Sequence, residues 1–355
     1  MSPINFVEIE ETTNVKIPEN LVFGKNFTTH YFEMDYETGK GWYNPTIKKF
    51  GNFQISPAAL VFHYGQAIFE GLKAYKHTDG KIALFRPDEN IKRMNRSAAR
   101  LCMPELDMDL AITALKELVK LEHEWIPTKP GHSLYIRPLM FACDPYIGVK
   151  AGDQFKFMVM LSPVGPYYPE GFKPVPILTT DKYVRAVRKG VGDCKTAGNY
   201  AASLLAQREA KKEGYSQVLW LDAIEQKYIE EVGTMNIFMQ FKNEVVTPNL
   251  SGSILPGVTR MSVIDILKDW GYNMNERQIS IDEVVKEYNN GNLLEIFGTG
   301  TAAIISSISK LKYNDAIMKF SDETAGELGT KLYEEILGIQ YGDREDKFGW
   351  MNYID

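Results

Sequence analysis

One lysine, Lys195, lies in a stretch that could do chemistry on a carbonyl group. Gly192 and Gly198 flank it, and apolar positions at helical spacing predict that a helix follows over residues 201–212. A lysine amine attacks carbonyl carbons when its surroundings lower its pKa. A lone lysine is more often a solvated surface residue, and the stretch by itself leaves both interpretations open.

A pair of adjacent acids, Glu230 and Glu231, lies in a predicted strand over residues 229–232. Side chains alternate between the two faces of a strand, so only one of the two carboxylates can reach a given ligand. The spacing alone does not choose between them.

Arginines recur in the helix that is predicted to open at Pro87. Arg93, Arg96 and Arg100 lie close to one helical face. A planar guanidinium is well matched to a phosphate, although most such arginines form a solvated basic stripe.

The predicted strand over residues 133–141 places Tyr135 and Arg137 on one face. An inward-facing arginine is costly to bury unless it meets an anion. A pair on a surface strand is an equally good interpretation of the spacing.

Two short loops could bind anions through the backbone. Residues 255–260, LPGVTR, open a predicted helix whose first N–H groups, including those of Val258 and Thr259, have no partner within the helix. Residues 298–301, GTGT, form a predicted tight turn between two strands. A turn of this composition is a weak signal alone.

The chain has 355 residues, which is longer than one hydrophobic core usually needs, so we expect two domains. Residues 162–171, SPVGPYYPEG, are dense in proline and glycine and indicate the boundary. We predict a small N-terminal α/β domain over residues 1–165, an interdomain loop over 166–175 and a large C-terminal domain over 176–355.

Composition and charge narrow the class of protein. The net charge of -6 gives no basic face for nucleic acid and no polybasic membrane patch, so small molecules are the expected partners. Cys102, Cys143 and Cys194 lie far apart, and no histidine pair has metal spacing, so we expect no disulfide and no metal site. Without a targeting segment or an apolar run that could span a bilayer, we expect a cytoplasmic protein.

Three runs together resemble the branched-chain amino acid aminotransferases, which belong to the fold-type IV group of pyridoxal-phosphate enzymes. The runs are residues 195–200 (KTAGNY), 231–238 (EVGTMNIF) and 297–302 (FGTGTA), in that family's order and spacing. Shorter matches extend the likeness over nearly the whole chain: 23–25 (FGK), 69–71 (FEG), 84–87 (LFRP), 135–138 (YIRP) and 255–258 (LPGV).

The resemblance implies a mixed α/β (α+β) fold of the D-amino acid aminotransferase type. It has a smaller N-terminal and a larger C-terminal domain with pyridoxal 5'-phosphate between them, and at least a homodimer with the pocket near the interface. The implied reaction transfers the amino group of L-leucine, L-isoleucine or L-valine to 2-oxoglutarate.

The resemblance also assigns roles to individual residues. Lys195 would bond the cofactor aldehyde and move protons, Glu231 would pair with the ring nitrogen, and Arg93 would grip the phosphate. The implied cofactor-binding set is Arg93, Lys195, Tyr200, Glu231, Thr234, Val258, Thr259 and Thr301. The implied substrate-binding set is Phe27, Tyr64, Phe69, Tyr135, Arg137, Tyr167, Thr301 and Ala302.

One stretch departs from the family's pattern. Some members carry a Cys-x-x-Cys redox switch after the Thr-Ala turn, where this chain has residues 303–306, AIIS, so thiol control by that route is not expected. Three other functions are open. A D-amino acid transaminase or an aminodeoxychorismate lyase would share the lysine and the acid, and a non-catalytic cofactor-binding protein would not need both.

Overall fold

The structure is a computed structural model that describes residues 3–10, 12, 15–166 and 172–354. These residues form seven α-helices and eighteen β-strands. The first part of the chain contains β1 (Asn5–Val7), β2 (His30–Glu37), β3 (Gly41–Lys49), α1 (Leu60–Tyr64), β4 (Ala67–Phe69), β5 (Leu72–Lys76), β6 (Ile82–Phe85), α2 (Pro87–Arg100), α3 (Met108–Leu121), β7 (Ser133–Ala142) and β8 (Gln154–Val164).

The remaining elements follow the proline-rich segment. They are β9 (Val175–Thr179), α4 (Ala197–Lys212), β10 (Gln217–Leu221), β11 (Ile229–Val232), β12 (Asn236–Phe241), β13 (Val245–Thr247), α5 (Val258–Asp269), β14 (Met274–Glu276), α6 (Ile281–Asn289), β15 (Leu293–Gly300), β16 (Ile304–Tyr313), β17 (Ala316–Lys319), α7 (Glu327–Tyr341) and β18 (Met351–Ile354).

The chain divides into two compact units. The first unit comprises Met1–Tyr167, Cys194–Ala197 and Gly338–Asp355, and the second comprises Tyr168–Asp193 and Gly198–Leu337. The four-residue segment that carries Lys195 therefore groups with the first unit, whereas Glu231 belongs to the second. The domain limits at 165, 166–175 and 176 remain a prediction.

The first unit is built on a nine-stranded sheet in the order β1-β3-β2-β8-β7-β5-β6-β18, with β4 paired to β7. Its neighbours pair antiparallel except β1 and β3. Side chains alternate along β7 and β8, and one set, including Leu134, Ile136 and Val159, is fully buried in a core that also contains residues of α2 and α3. The apolar residues Phe155, Phe157, Val159 and Leu161, which alternate with Met158 and Met160, predict a strand that is buried on both faces. They are confirmed as part of β8.

The second unit is built on a mixed nine-stranded sheet in the order β11-β10-β9-β16-β15-β12-β13-β14, with β17 paired to β16. The strand predicted over residues 229–232 is confirmed as β11. The sequence also predicts a strand over residues 236–241, which is confirmed as β12. The tight turn predicted at residues 298–301 lies later in the chain, because residues 298–300 still belong to β15. The turn that follows Gly300 joins β15 to its antiparallel neighbour β16.

Local side-chain hydrogen bonds help to set where α6 and α7 begin. Residues 280–283, SIDE, have the capping-box pattern that predicts a helix start. The prediction is confirmed, because Ser280 caps α6 by accepting from the backbone N–H of Glu283 at 3.1 Å. The sequence predicts a last helix over about residues 322–337, but α7 begins only at Glu327. The Ser321 hydroxyl accepts from the N–H groups of Glu323 and Thr324 and holds a turn before the helix.

Three further properties bear on function. Within the described ranges, no helix combines the length and the apolar character that crossing a membrane requires. The same ranges contain no group of three or more His, Cys, Asp or Glu side chains arranged to hold a metal ion. Cys102, Cys143 and Cys194 are all free thiols.

Candidate active site

The backbone around Lys195 is fixed within the first unit by side chains and strand β4. The Lys195 N–H donates to the Ser97 hydroxyl at 3.0 Å, and the Lys195 carbonyl accepts from the N–H of Phe69 at 3.0 Å. The Thr196 hydroxyl donates to the Ala67 carbonyl at 2.8 Å. The lysine is therefore held between α2 and β4 by contacts on both of its backbone groups.

The ring of Phe69 lies within reach of two cations. The Lys195 Nζ is 4.9 Å from the ring centroid and the Arg137 guanidinium is 4.8 Å from it. A ring face attracts cations at such distances, so Phe69 helps to place both groups. Phe69, Arg137 and Lys195, which were predicted separately, are brought together here.

Tyr135 and Arg137 share one face of β7, as the strand pattern predicted. The Arg137 Nη2 donates to the Tyr135 hydroxyl at 2.9 Å. A Cβ atom at Gly71 would lie 2.0 Å from that hydroxyl oxygen, so only glycine leaves room for the tyrosine to extend over this part of the sheet. The close approach of Tyr135 thus explains why the motif at residues 69–71 ends in a glycine.

Arg93 forms a bidentate ion pair with Glu70. Its Nε and Nη2 donate to the two carboxylate oxygens at 2.7 and 2.8 Å, and Asn90 adds a hydrogen bond at 2.8 Å. Both side chains are buried, whereas Arg96 and Arg100 are exposed. Burial alone would raise the pKa of Glu70, but Arg93, Lys195 and Asn90 hold it below its usual value. The predicted basic stripe is therefore one buried arginine and two solvated ones.

Two predicted substrate residues lie at the surface of the first unit. Phe27 is partly exposed and stacks on Phe50 with ring centroids 4.8 Å apart. Tyr64 ends α1, is also exposed, and donates its hydroxyl to the carbonyl of Ile147. Tyr167 lies outside the described residues.

Glu231 is buried in the second unit and held by two donors. The N–H of Leu255 donates to one carboxylate oxygen at 2.7 Å, and the Arg185 Nε lies 2.9 Å from the other. Arg185 also donates to the carbonyls of Ser253 and Gly192, at 2.9 and 3.3 Å. This arginine therefore ties the acid to two loops.

Glu230 has a different environment. Strand β11 shifts register against β10, with Trp220 opposite Glu231 and Leu221 opposite Ile229, so Glu230 is the extra residue of a bulge. Glu230 accepts from the hydroxyl of Ser253, and its second oxygen is buried without a partner among the described residues. Burial is the main reason that its pKa is raised. The bulge disturbs the simple alternation that the sequence suggested, and both acids contact residues 253–255.

The start of α5 is open to an anion. Gly257 precedes the helix, so no side chain caps the first N–H groups, which include those of Val258 and Thr259. A Cβ at Gly257 would lie 2.1 Å from the Asn236 side chain, whose amide donates to the Leu255 carbonyl at 2.9 Å. The loop is therefore held close to β12, in a conformation that suits a phosphate.

The two threonine turns of the second unit are adjacent. Asn236, which follows the turn containing Thr234, pairs with Thr299 on β15. Cβ atoms at Gly298 and Gly300 would lie 2.9 and 3.3 Å from Met235. The glycines thus allow the turn at 233–235 to pack against the start of the turn that holds Thr301 and Ala302.

The polar groups of these turns differ in exposure. The Thr299 hydroxyl is buried without a partner within the described chain, whereas Thr301 and Ala302 are partly exposed and Thr234 is exposed. Tyr200 lies in the first turns of α4 and is partly exposed.

Three residues of these arrangements escaped the sequence reasoning. Glu70 lies inside the 69–71 motif, whose middle residue could have suggested a partner for Arg93. Ser97 follows Arg93 by four residues and so shares its helical face. Arg185 has no local signal, because its contacts depend on loops that are distant in sequence.

Comparisons with known proteins identify the family of this chain. The sequence profile of the family described as amino-transferase class IV matches residues 67–311. Branched-chain-amino-acid aminotransferase 2 of Bacillus subtilis is 51% identical over 349 residues, which are 98% of this chain and 96% of that protein. Among solved structures, the Escherichia coli branched-chain amino acid aminotransferase has a TM-score of 0.75 and 25% identity over 91% of this chain and 99% of its own. The T.th. branched-chain amino acid aminotransferase, solved with pyridoxamine 5'-phosphate, has a TM-score of 0.73 and 28% identity over 91% of this chain and 98% of its own. On these grounds the chain belongs to the amino-transferase class IV family.

Proposed function

We propose that this protein is a pyridoxal-phosphate-dependent aminotransferase that moves the amino group of L-leucine, L-isoleucine or L-valine to 2-oxoglutarate. The observation that carries the proposal is the 51% identity to a branched-chain aminotransferase over 98% of the chain. The products are branched-chain 2-oxo acids and L-glutamate.

The residues present fit the cofactor. An amine for its aldehyde comes from Lys195, and a buried acid for its ring nitrogen comes from Glu231. Donors for its phosphate are available at the N-terminus of α5, where glycine provides no cap, and at the unpartnered hydroxyl of Thr299. Arg93, Tyr200, Thr234 and Thr301 complete the proposed set.

Each protein group has a defined task in the mechanism. The cofactor, when bound, delocalises negative charge from the substrate α carbon. The Nζ of Lys195 would take the proton from the α carbon of the amino acid in the first half-reaction, and it would deliver a proton to the corresponding carbon of the 2-oxo acid in the second. Glu231 stays oriented because the Leu255 N–H and Arg185 each hold one of its oxygens. Its negative charge would favour a proton on the ring nitrogen of the bound cofactor.

The proposed pocket must accept an apolar side chain in one half-reaction and a carboxylate in the other. Phe69 and Tyr135 offer aromatic surface, and Arg137 beside them offers a cation. Phe27, Tyr64 and Tyr167 extend the aromatic surface in this proposal. Backbone N–H groups of Thr301 and Ala302 would receive the substrate α-carboxylate.

A homodimer is part of the proposal. Large apolar side chains are exposed in two segments of the first unit, residues 60–64 and 146–149, and the Tyr64 hydroxyl joins the segments through the Ile147 carbonyl. Exposed apolar patches of this kind mark interaction surfaces. We expect Ile147→Glu to yield monomers in light scattering, while the similarly exposed control Ile224→Glu stays dimeric.

We place the protein in the cytoplasm.

The test follows the two half-reactions separately. Purified protein loaded with pyridoxal phosphate is expected to lose its visible absorbance band with L-leucine and to regain it with 2-oxoglutarate. If only a D-amino acid removes the band, the proposed substrates are wrong and the protein is a D-amino acid transaminase. Release of pyruvate from aminodeoxychorismate, without transfer of an amino group, would indicate a lyase.

A further inference from the structure

The first unit contains a cavity that lies apart from the residues assigned to the proposed site. Its volume is about 340 Å³, which is in the lower part of the range of small-molecule sites. It lies where β2, β3 and β8 run side by side, and residues 53–56 also line it. Lys156 in its floor lies opposite Phe141, which is four residues along β7 from Arg137, or about 13 Å at about 3.3 Å per residue. The described residues that line the cavity are all outside the proposed cofactor and substrate sets.

The floor of the cavity carries charges of both signs. Asp35 on β2 lies opposite Tyr43 on β3 and opposite Lys156 on β8, so the three side chains point to the same side of the sheet. The Lys156 ammonium donates to one oxygen of Asp35 at 2.7 Å. The side chain of Lys156 is 17% exposed and that of Asp35 is 30% exposed, so a ligand can reach both.

Both members of this ion pair keep hydrogen-bonding capacity. An ammonium group has three N–H donors, and each carboxylate oxygen is an acceptor. Within the described part of the chain, the Lys156 ammonium makes one hydrogen bond, and the second oxygen of Asp35 makes none. A ligand that offers an acceptor to Lys156 and a donor to Asp35 would satisfy both groups.

The charges around the floor are balanced. Lys156 also lies 3.6 Å from Glu33, and Glu33 pairs with Lys48 at 2.8 Å. This connected group contains two carboxylates and two ammonium groups, so it has no net charge. A phosphate or a dicarboxylate would be repelled by both acids, and a simple cation would be repelled by both lysines. The floor therefore favours a molecule that carries one charge of each sign.

An apolar wall adjoins the charged floor. Phe53 is 40% exposed, and its ring centroid lies 5.9 Å from that of Phe141. Ile55 packs against the buried cluster that contains Tyr31, Phe141 and Met158. An apolar side chain placed on Phe53 and Ile55 would remove exposed apolar surface from water. The cavity thus combines a place for two opposite charges with a place for an apolar group.

We propose that this cavity is a second binding site for a free α-amino acid with an apolar side chain, separate from the site at which the amino acid reacts. The amino group donates to the free oxygen of Asp35, the carboxylate accepts from Lys156, and the side chain covers Phe53 and Ile55. The inference goes beyond the proposed function, since it involves none of the residues assigned to the reaction. For a ligand such as leucine, with about nine non-hydrogen atoms, we expect a Kd on the order of 1 mM.

The first experiment is a calorimetric titration of the holoenzyme after borohydride has fixed the cofactor to Lys195, so that an added amino acid cannot displace the lysine. L-leucine is compared with 4-methylpentanoate, which lacks the amino group, and with 3-methylbutylamine, which lacks the carboxylate. Leucine should bind about tenfold more tightly than either analogue, because each analogue loses a charge-assisted hydrogen bond. If either analogue binds as tightly as leucine, or if leucine does not bind, the proposal is wrong.

Variants test whether the binding takes place in the cavity. Lys156→Met and Asp35→Asn should each weaken leucine binding about tenfold, whereas Cys143→Leu, which enlarges a lining side chain without changing a charge, should weaken all three ligands. Lys92→Met serves as control, because it removes a lysine from an exposed ion pair on α2 and should leave binding unchanged. Thermal unfolding establishes that each variant is folded. Leucine binding that is unchanged in both Lys156→Met and Asp35→Asn would overturn the proposal.

The second site and the proposed function can fail separately. If L-leucine removes the visible band of the untreated holoenzyme but does not bind after borohydride treatment, the proposed function stands and the second site is wrong. If leucine binding depends on Lys156 in a protein that does not transaminate leucine, the second site stands and the proposed function is wrong.

Discussion

Each unit contains one buried glutamate held by a buried arginine, and the two pairs are built differently. In the first unit, Arg93 places two nitrogens of its fork on the two oxygens of Glu70, at 2.7 and 2.8 Å. In the second, Arg185 gives Glu231 its Nε, and its other nitrogens go to the carbonyls of Ser253 and Gly192. The first arginine thus grips a carboxylate with its fork, whereas the second distributes its donors over three chain segments.

This difference indicates that the Arg93–Glu70 pair stabilises the fold, whereas the Arg185–Glu231 pair positions an acid of the proposed site. The first pair fastens α2 to the residues between β4 and β5, next to Phe69, whose N–H donates to the Lys195 carbonyl. The second pair orients the acid and sets the shape of the loops around it. We therefore expect changes in the first pair to appear mainly in stability and changes in the second mainly in cofactor binding and turnover.

The largest expected effect follows from Arg93→Met. It leaves the carboxylate of Glu70 buried without its ion pair, which typically costs about 3 to 5 kcal/mol of unfolding free energy. Urea unfolding of the apoprotein measures this loss apart from any role of Arg93 in holding phosphate. The double variant Glu70→Gln, Arg93→Met should be more stable than Arg93→Met alone. A double variant that is no more stable would show that the unpaired charge is not the cause.

The two neighbouring acids of β11 provide the next test. Glu231→Gln removes the negative charge that we assign to the cofactor ring nitrogen, and kcat for leucine and 2-oxoglutarate should fall on the order of 100-fold. Glu230→Gln should change kcat by less than about twofold. Glu230 accepts a hydrogen bond from Ser253, and its pKa is raised, which favours the neutral carboxylic acid. If kcat falls equally in the two variants, the assignment of Glu231 to the cofactor ring nitrogen is wrong.

Much of the fold could be predicted from the sequence because the signals are local. Strand patterns placed Tyr135 and Arg137 on one face, and Ser280 with Glu283 marked a helix start. The start of α7 was predicted too early, since apolar spacing does not register the turn that Ser321 holds. The site was less predictable where contacts join distant segments: nothing near Arg185 indicates that its partners are residues 192, 231 and 253.

The alternation expected along a strand was also a poor guide to the two adjacent acids, Glu230 and Glu231. Alternation assumes a regular strand, but the register shift between β10 and β11 makes Glu230 a bulge residue, and a bulge depends on the partner strand. Similarly, the spacing of Arg93, Arg96 and Arg100 does not reveal that only the first is buried. That difference arises because Glu70, from another part of the unit, lies against Arg93.

Arg185→Met should produce a smaller effect of a different kind. Loss of its donors to Glu231 and to the two carbonyls loosens the loops, and the affinity for pyridoxal phosphate should fall about tenfold, since about 1 to 2 kcal/mol of positioning is lost. Fluorescence titration of the apoprotein with the cofactor measures this change. Arg185→Lys should recover only part of the affinity, and Arg188→Met, at an exposed position of the same loop, should retain it. A change in unfolding alone, with unaltered cofactor affinity, would make Arg185 merely structural.

The smallest effect concerns pH and contrasts Glu70 with Glu230. The pKa of Glu70 is lowered in the folded protein, so its contribution to stability is present above its unfolded pKa and is lost as the pH falls through the folded pKa. The pKa of Glu230 is raised, so its contribution is fully present below its unfolded pKa and is lost as the pH rises through the folded pKa. The unfolding free energy should therefore decline as the pH rises from about 4.5 toward neutrality, and Glu230→Gln should make this decline shallower. The expected reduction of the decline is about 1.4 kcal/mol for each unit by which the pKa of Glu230 is raised. Urea unfolding at a series of pH values measures it. A decline that persists unchanged in this variant would mean that another buried acid, such as Glu295, whose pKa burial also raises, is responsible.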